Sequence, residues 1–343
     1  MKQLFILFVS IVLGANSCSV TNGQGKVTLM TCDFPATSIK EVEATTAGGS
    51  LTLSGDVGSK AMVEVNVSRY NWSEEKIRQV LDENYTVDVK VENGKLYAIA
   101  KQKKNISNSN SQELSISFKI SVPKQINSNL QTSGGSIRIS NISGSQNFKT
   151  SGGSLMVENV SGNTVGVTSG GSITVTGSTD NIDLKTSGGS ITAKDCNGKI
   201  NLITSGGSLN LNNLSGNIKA TTSGGSVIVN NINGTLITGT SGGSMRLNGI
   251  SGNVDAQTSG GNIDVIIKSA GDFVKLSNSG NITLRLPAGK GYNLKVKGNN
   301  KIETSGLKNF RGNMDTNSMD GVLGNGGPEI NVKSSQRVRL IFE

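Results

Sequence analysis

Between residues 137 and 257 apolar positions come in pairs with one polar residue between them. Ile137 and Ile139, Leu155 and Val157, Ile173 and Val175, Leu209 and Leu211, Val227 and Val229, and Met245 and Leu247 form one series. Ile182 and Leu184, Ile200 and Leu202, Ile218 and Ala220, and Val254 and Ala256 form a second, offset by nine residues. Alternation over so few positions predicts short strands with one face buried. A further apolar residue follows five of these six pairs, at Ile142, Val160, Leu214, Ile232 and Ile250. Cys196 occupies that same corner and reads as a core thiol.

The punctuation is as regular as the pairs. Thr-Ser-Gly-Gly-Ser begins at Thr132, Thr150, Thr168, Thr186, Thr204, Thr222 and Thr240, and Thr258 opens an eighth copy ending in Asn. A fixed 18-residue period marks a solenoid. Each unit divides into two halves of nine, each a turn, a Gly, a small polar residue and apolar-x-apolar. Glycine belongs at the turns, where the chain reverses and positive φ is wanted. Asn141, Asn159, Asp195, Asn213 and Asn231 precede the second turn and tolerate left-handed geometry. Two strands and two turns make one flattened coil. Coils stacked in parallel at about 4.8 Å would form a rod of roughly 40 Å. The expected fold is all-β: a single-stranded parallel β-solenoid of 18-residue coils.

The flanks break the pattern. Thr46-Ala47-Gly48-Gly49-Ser50-Leu51 reads as one more coil start, far upstream. Between it and Thr132 lies an α+β insertion that would cap the open coil end, which otherwise exposes unpaired backbone. Its elements are a strand with Val63, Val65 and Val67, a helix over 74–83 capped by Ser73, and a hairpin turning at Asn93-Gly94. A polar loop over 101–112 and a strand from Leu114 to Val122 complete it. Ile282, Leu284 and Leu286 continue the coils, and Tyr292, Leu294 and Val296 extend them. The Gly/Asn-rich stretch 298–327 reads as loop, and Val338, Leu340 and Phe342 as a closing strand. The expected division is 1–17 export signal, 18–130 first coil and cap, 131–297 repeats, and 298–343 C-terminal loop and capping strands.

Residues 1–18 add a cellular address. Lys2 precedes a short apolar run, Leu4 to Leu13, and Ala15-Asn16-Ser17-Cys18 resembles a lipobox, without its usual Leu three residues before the Cys. Cleavage there would leave Cys18 as a lipidated first residue and tether the domain to a membrane. An ordinary secretory signal with Cys18 incidental is the other reading. No acidic run follows Cys18, which favours an anchor facing the periplasm over one at the cell surface. Cys32 and Cys196 could pair in an oxidising compartment. Their separation and the inward place of Cys196 argue against it.

Charge changes the picture little. There are 33 basic and 24 acidic residues, but the lysines are scattered. Lys101, Lys103 and Lys104 form the one cluster, either a solvated loop or a contact for anionic envelope polymers. Export argues against nucleic acid as a partner.

Candidate chemistry is sparse. The chain has no histidine. That removes Ser-His and Cys-His nucleophiles and His-based metal sites. The turns hold Ser and Asn where a calcium roll needs Asp, so no metal ion is expected. Asp183 and Asp255 both point outward but stand four coils apart, roughly 19 Å at the coil spacing, too far for an acid/base pair. No catalytic residue and no cofactor are assigned. The weak ligand-binding candidates are Tyr70 and Trp72, the only Trp. They serve either as a packing anchor of the cap or as a platform for sugar rings.

These residues carry a resemblance. The Thr-Ser-Gly-Gly-Ser units, the lead-in Val122-Pro123-Lys124 and the closing Gly326-Gly327-Pro328-Glu329-Ile330 resemble the bacterial "putative adhesin, beta-strand repeat" family, and the head-GIN type envelope domains are similar. The resemblance implies a right-handed parallel β-solenoid, exported or membrane-anchored, with no defined functional residues. Export, anchoring, repetition and the lack of reactive groups point to a non-enzymatic cell-envelope lipoprotein, an adhesin or envelope-binding β-solenoid whose partner is envelope glycan or another envelope protein. The alternative is a periplasmic accessory of an envelope-stress or signalling system.

Overall fold

A computed structural model describes residues 17–19, 26–55, 58, 60–103 and 114–343. The described residues are all-β, 68% strand with one α-helix, and their parallel pairings include a closed ring of six strands. It divides into two compact units, residues 1–171 and 172–343.

In the first unit the upstream coil start lies where its sequence places it. Strands Glu41–Thr46 and Leu51–Gly55 flank the Thr46–Ser50 turn. They pair in parallel with residues 86 positions later, Thr46 with Thr132 and Leu51 with Ile137. Strand Ile137–Lys149 then pairs with Leu155–Thr168 at an offset of 18, from Ile137 with Leu155 to Lys149 with Val167.

The insertion gives the first coil a neighbour on its other side. Val42 pairs with Leu96 of strand Lys95–Gln102, and Leu53 with Ile120 of strand Ser115–Val122. Strand Lys60–Ser68 continues the sheet antiparallel to Ser115–Val122, and Lys26–Pro35 pairs with it in turn. Helix Glu74–Asn84 starts where Ser73 Oγ accepts the Lys76 N–H at 3.4 Å, and it buries Ile77, Val80 and Leu81. Asn93 (φ 51°) and Gly94 (φ 78°) make the expected hairpin turn. Of the polar loop, residues 104–113 lie outside the described residues.

The second unit shows the same offset through four longer strands, Leu209–Thr221, Val227–Thr240, Met245–Thr258 and Ile263–Asn278. Leu209 pairs with Val227, Val227 with Met245 and Met245 with Ile263. Irregularities then lengthen the period, so that Val254 faces Val274. Ile263 pairs with Ile282, and Ile282 with Val338 of the closing strand Arg337–Phe342.

Three expectations need correction. First, the second turn of each coil rarely interrupts the strand. In these long strands the ladder runs through the bend at the left-handed Asn or Gly, and only Ile173–Thr176/Thr179–Thr186 and Ile191–Lys194/Asn197–Ile203 split there. Second, the stretch 298–327 is not loop. It holds strands Lys301–Ser305, Phe310–Met314 and Ser318–Leu323. Their alternation is weak because only Ile302, Met319 and Leu323 among their residues are buried. Partners hold them instead: Lys301–Ser305 against Arg337–Ile341, and Ser318–Leu323 against both Tyr292–Lys297 and Phe310–Met314.

Third, the glycine argument applies to one turn and not the other. Bend residues Asn141, Asn159, Asp195, Asn213 and Asn231 have φ between 52° and 57°, and Gly177 and Gly249 stand at the same place with positive φ. The second glycine of each Thr-Ser-Gly-Gly-Ser has no positive φ. It is required by contact: a Cβ on Gly153 would lie 1.9 Å from Gly135 O, and one on Gly207 2.1 Å from Gly189 O.

The motif threonine ties each repeat to the one before it. Thr150, Thr168, Thr204, Thr222, Thr240 and Thr258 are buried. Each donates its hydroxyl to the second glycine carbonyl of the preceding repeat, as from Thr150 to Gly135 O and from Thr222 to Gly207 O, at 2.7–2.8 Å. Most also accept the second glycine N–H of their own repeat, as Thr222 does from Gly225 at 3.3 Å. The Ser/Thr rows of the motif were expected both to satisfy turn backbone and to stack as hydroxyl ladders, and the first holds. The motif serines bond backbone as well, as when Ser208 Oγ accepts Ser226 N–H at 3.2 Å. Every inward position named above is buried, each Val, Leu, Ile or Met side chain contributing about 1.5–3 kcal/mol.

Candidate ligand-binding surface

Strand Lys60–Ser68 ends at the edge where it pairs with Lys26 on one side and Ser115 on the other. The chain then turns through Arg69-Tyr70-Asn71-Trp72 before the helix. Trp72 N–H donates to Arg69 O at 3.4 Å, and Asn71 takes φ 59°. This tight turn throws Tyr70 outward, leaving it 87% exposed. The packing-anchor reading therefore fails for Tyr70. Trp72 is half-buried and sits between cations: Lys76 Nζ lies 4.3 Å and the Arg69 guanidinium 5.6 Å from its ring centroid. Such contacts hold the ring in place and give its rim positive charge. Ser68, Arg69, Tyr70, Asn71 and Trp72 line a shallow hollow of about 480 Å³. The tip thus combines one free aromatic face with one cation-flanked indole.

The outward row beside the first-series strands is in register within each unit. Arg138 stands by Met156 in the first, and Thr174, Thr192, Asn210, Ile228, Arg246 and Asp264 follow one another in the second. Ile228 is 41% exposed beside Arg246, and Arg285 pairs with Asp264 at 2.6 Å. Asparagines at the bend form a ladder, Asn213 donating to Asp195 at 2.9 Å and Asn231 to Asn213 at 3.1 Å. This ladder is absent from the sequence reading, which saw those residues only as turn formers. Identical amides one coil apart were the available signal.

Asp183 accepts from Asn201 at 2.8 Å and pairs with Lys185 at 3.1 Å, whereas Asp255 stands beside Lys275 in the ladder. Among the described residues no three His, Cys, Asp or Glu side chains cluster.

Cys196 is buried and free, and desolvation pushes its thiol pKa up. Cys32 is disulfide-bonded, so Cys32 and Cys196 do not pair with each other. In the backbone ladder Cys18 of strand Ser17–Ser19 stands directly opposite Cys32. The apolar run Leu4–Leu13 of the export signal lies outside the described residues.

No protein-family model matches the chain, and no curated protein matches it. Solved structures do. A "putative cell adhesion protein" from Clostridium sporogenes is 11% identical, with 95% of this chain and 97% of the other covered, at a TM-score of 0.21. A "putative adhesin" from Bacteroides fragilis is 14% identical, with 76% and 97% covered, at a TM-score of 0.31. The chain is thus similar to bacterial proteins described as adhesins. At these TM-scores the likeness carries no argument about function.

Proposed function

We propose that this chain is a non-enzymatic adhesin of the bacterial cell envelope, exported by residues 1–17 and tethered through lipidated Cys18. Each unit's 18-residue coils stack as a parallel β-solenoid. The stack serves as a stiff spacer and the irregular ends do the binding. The observation that carries this reading is the Tyr70–Trp72 tip. An 87% exposed tyrosine beside a cation-flanked tryptophan offers an aromatic face that a sugar ring or a partner side chain can cover. The regular coils point the same way, because the motif hydroxyls are spent on backbone and leave no reactive group.

Lipidation consumes the Cys18 sulfur as a thioether, so a lipidated Cys18 and a Cys18–Cys32 cross-link exclude each other. Intact-mass measurement of the envelope-extracted protein decides between them. Added diacylglyceryl and acyl mass on Cys18 supports the anchor. An unmodified N-terminus with Cys18 in a disulfide sinks it.

Protease shaving of intact cells tests the adhesin reading. Loss of the protein while a periplasmic control survives places it outward, and matrix and glycan binding is then measured. Survival until the outer membrane is opened overturns adhesion to other surfaces. Turnover of any envelope glycan by the purified protein would overturn the non-enzymatic part.

A further inference from the structure

The second unit carries a cationic hollow that the reading above does not use. Three turns converge there: Ala288-Gly289-Lys290-Gly291, the Gly306–Asn309 turn, and the Leu323-Gly324-Asn325 turn. Phe342 of the closing strand adds an apolar side, and the cavity measures about 590 Å³. That volume falls in the range of small-ligand sites, about 300–1,000 Å³.

The lining has one sign of charge. Lys290 and Lys308 are its charged side chains, both exposed, and neither has an ion-pair or hydrogen-bond partner among the described residues. Two acids of this region, Glu303 and Asp315, are engaged in contacts of their own. Glu303 is held by Arg339 at 3.0 Å and Arg337 at 3.6 Å, and Asp315 accepts from its own turn at Asn317 and Ser318. Asp320 stands opposite Lys295 in the ladder, and Glu329 opposite Asn293. Glu343 follows Phe342 and is tied through its backbone to Leu286 and Ala288, without lining the hollow.

The remaining wall suits a ligand rich in hydroxyls. Asn309 and Asn325 present amides, and Gly289 lets a ligand approach backbone without meeting a side chain, whereas Gly291 and Gly306 pack against Gly326 O and Phe342 O. A Cβ on Gly289 would meet nothing within 4 Å, so that wall is open. Leu323 and Phe342, both buried, close its apolar side.

We infer that this hollow binds an acidic saccharide of one or two rings, with Lys290 and Lys308 holding its anionic groups and the glycine and asparagine walls its hydroxyls. The site is separate from the Tyr70–Trp72 tip, so it stands whether or not the adhesin reading does.

The test is titration of the whole mature protein with digalacturonate, neutral digalactose and inorganic phosphate, followed by calorimetry or amide chemical shifts. Digalacturonate is expected to bind at millimolar concentration or below, weakening with salt. Lys290→Gln/Lys308→Gln should reduce that affinity roughly tenfold or more. Lys295→Gln/Lys297→Gln removes the same charge from a strand outside the hollow and should leave affinity within about twofold. Circular dichroism checks that both variants are folded; the four lysines are exposed, so folding is expected. The inference is overturned if digalacturonate does not bind, or if the neutral sugar binds equally well. It also fails if phosphate alone matches the disaccharide, or if the two double variants lose affinity alike.

Discussion

Within the motif two adjacent glycines should respond oppositely to one added methyl. A Cβ on Gly207 would lie 2.1 Å from Gly189 O and 2.3 Å from its carbonyl carbon. Ordinary contact begins near 3.4 Å, so the shortfall is about 1.3 Å, and the obstacle is backbone. The neighbouring coil has to move away to relieve it. Such a movement lengthens Thr204 Oγ1 to Gly189 O (2.7 Å), Gly206 N to Ser187 O (2.9 Å) and Ser208 N to Ser190 Oγ (3.1 Å) beyond hydrogen-bond range. At about 1 kcal/mol each, with part of the apolar packing lost as well, Gly207→Ala should cost about 3 kcal/mol or more.

Gly206→Ala adds the same atom one residue earlier. There the nearest atom is Gly188 O at 3.4 Å, an ordinary contact, and no positive φ forbids alanine. That change should lie within about 0.5 kcal/mol of wild type, or stabilise slightly by restricting the unfolded chain. Urea unfolding followed by circular dichroism compares the three proteins. Because stacked repeats can open piecemeal, amide exchange at Leu209 and Leu211 gives the local reading. A Gly207→Ala protein as stable as wild type, or equal losses from both variants, would refute the claim that coil spacing dictates the second glycine.

Three further outcomes follow from the same geometry. Thr222→Val keeps the shape but strands Gly207 O and Gly225 N–H, so it should lose about 1–3 kcal/mol, and Thr222→Ser should restore most of it in the same unfolding assay. Thr164 is fully buried with an unpartnered Oγ1, so Thr164→Val should raise stability by about 1 kcal/mol; a loss instead would show that the hydroxyl is satisfied. Burial raises the Cys196 pKa above its unfolded value, so its contribution is complete below the ordinary thiol range and fades as pH rises through the folded value. Thiol reagents at mildly alkaline pH should therefore label Cys196 only after denaturant is added, and fast labelling of the native protein would contradict its burial.

Much of this architecture was legible in the chain, because a strict period repeats each local instruction. The inward pairs, the corner residues, the upstream coil start and the capped helix all read correctly. Side-chain period and turn chemistry are local properties, and each copy restates them. The bend asparagines were legible for the same reason, since left-handed φ is an intrinsic preference of Asn, Asp and Gly.

What the tertiary structure alone decided depends on neighbours distant in sequence. The second glycine looked like a turn former, yet its cause is a carbonyl 18 residues away. Strands within 298–327 were hidden because partners at 292–298 and 337–341 hold them, not their own alternation. Tyr70 could have been anchor or platform until the turn after Ser68 set its direction. The lysines of the C-terminal hollow stand 18 residues apart among glycines and carry no motif. The sequence by itself determined the repeating unit and its inward face, because burial follows from alternation. Which side chains meet at the ends, where the period breaks, was decided only by the fold, because there each contact is made once and no repetition announces it.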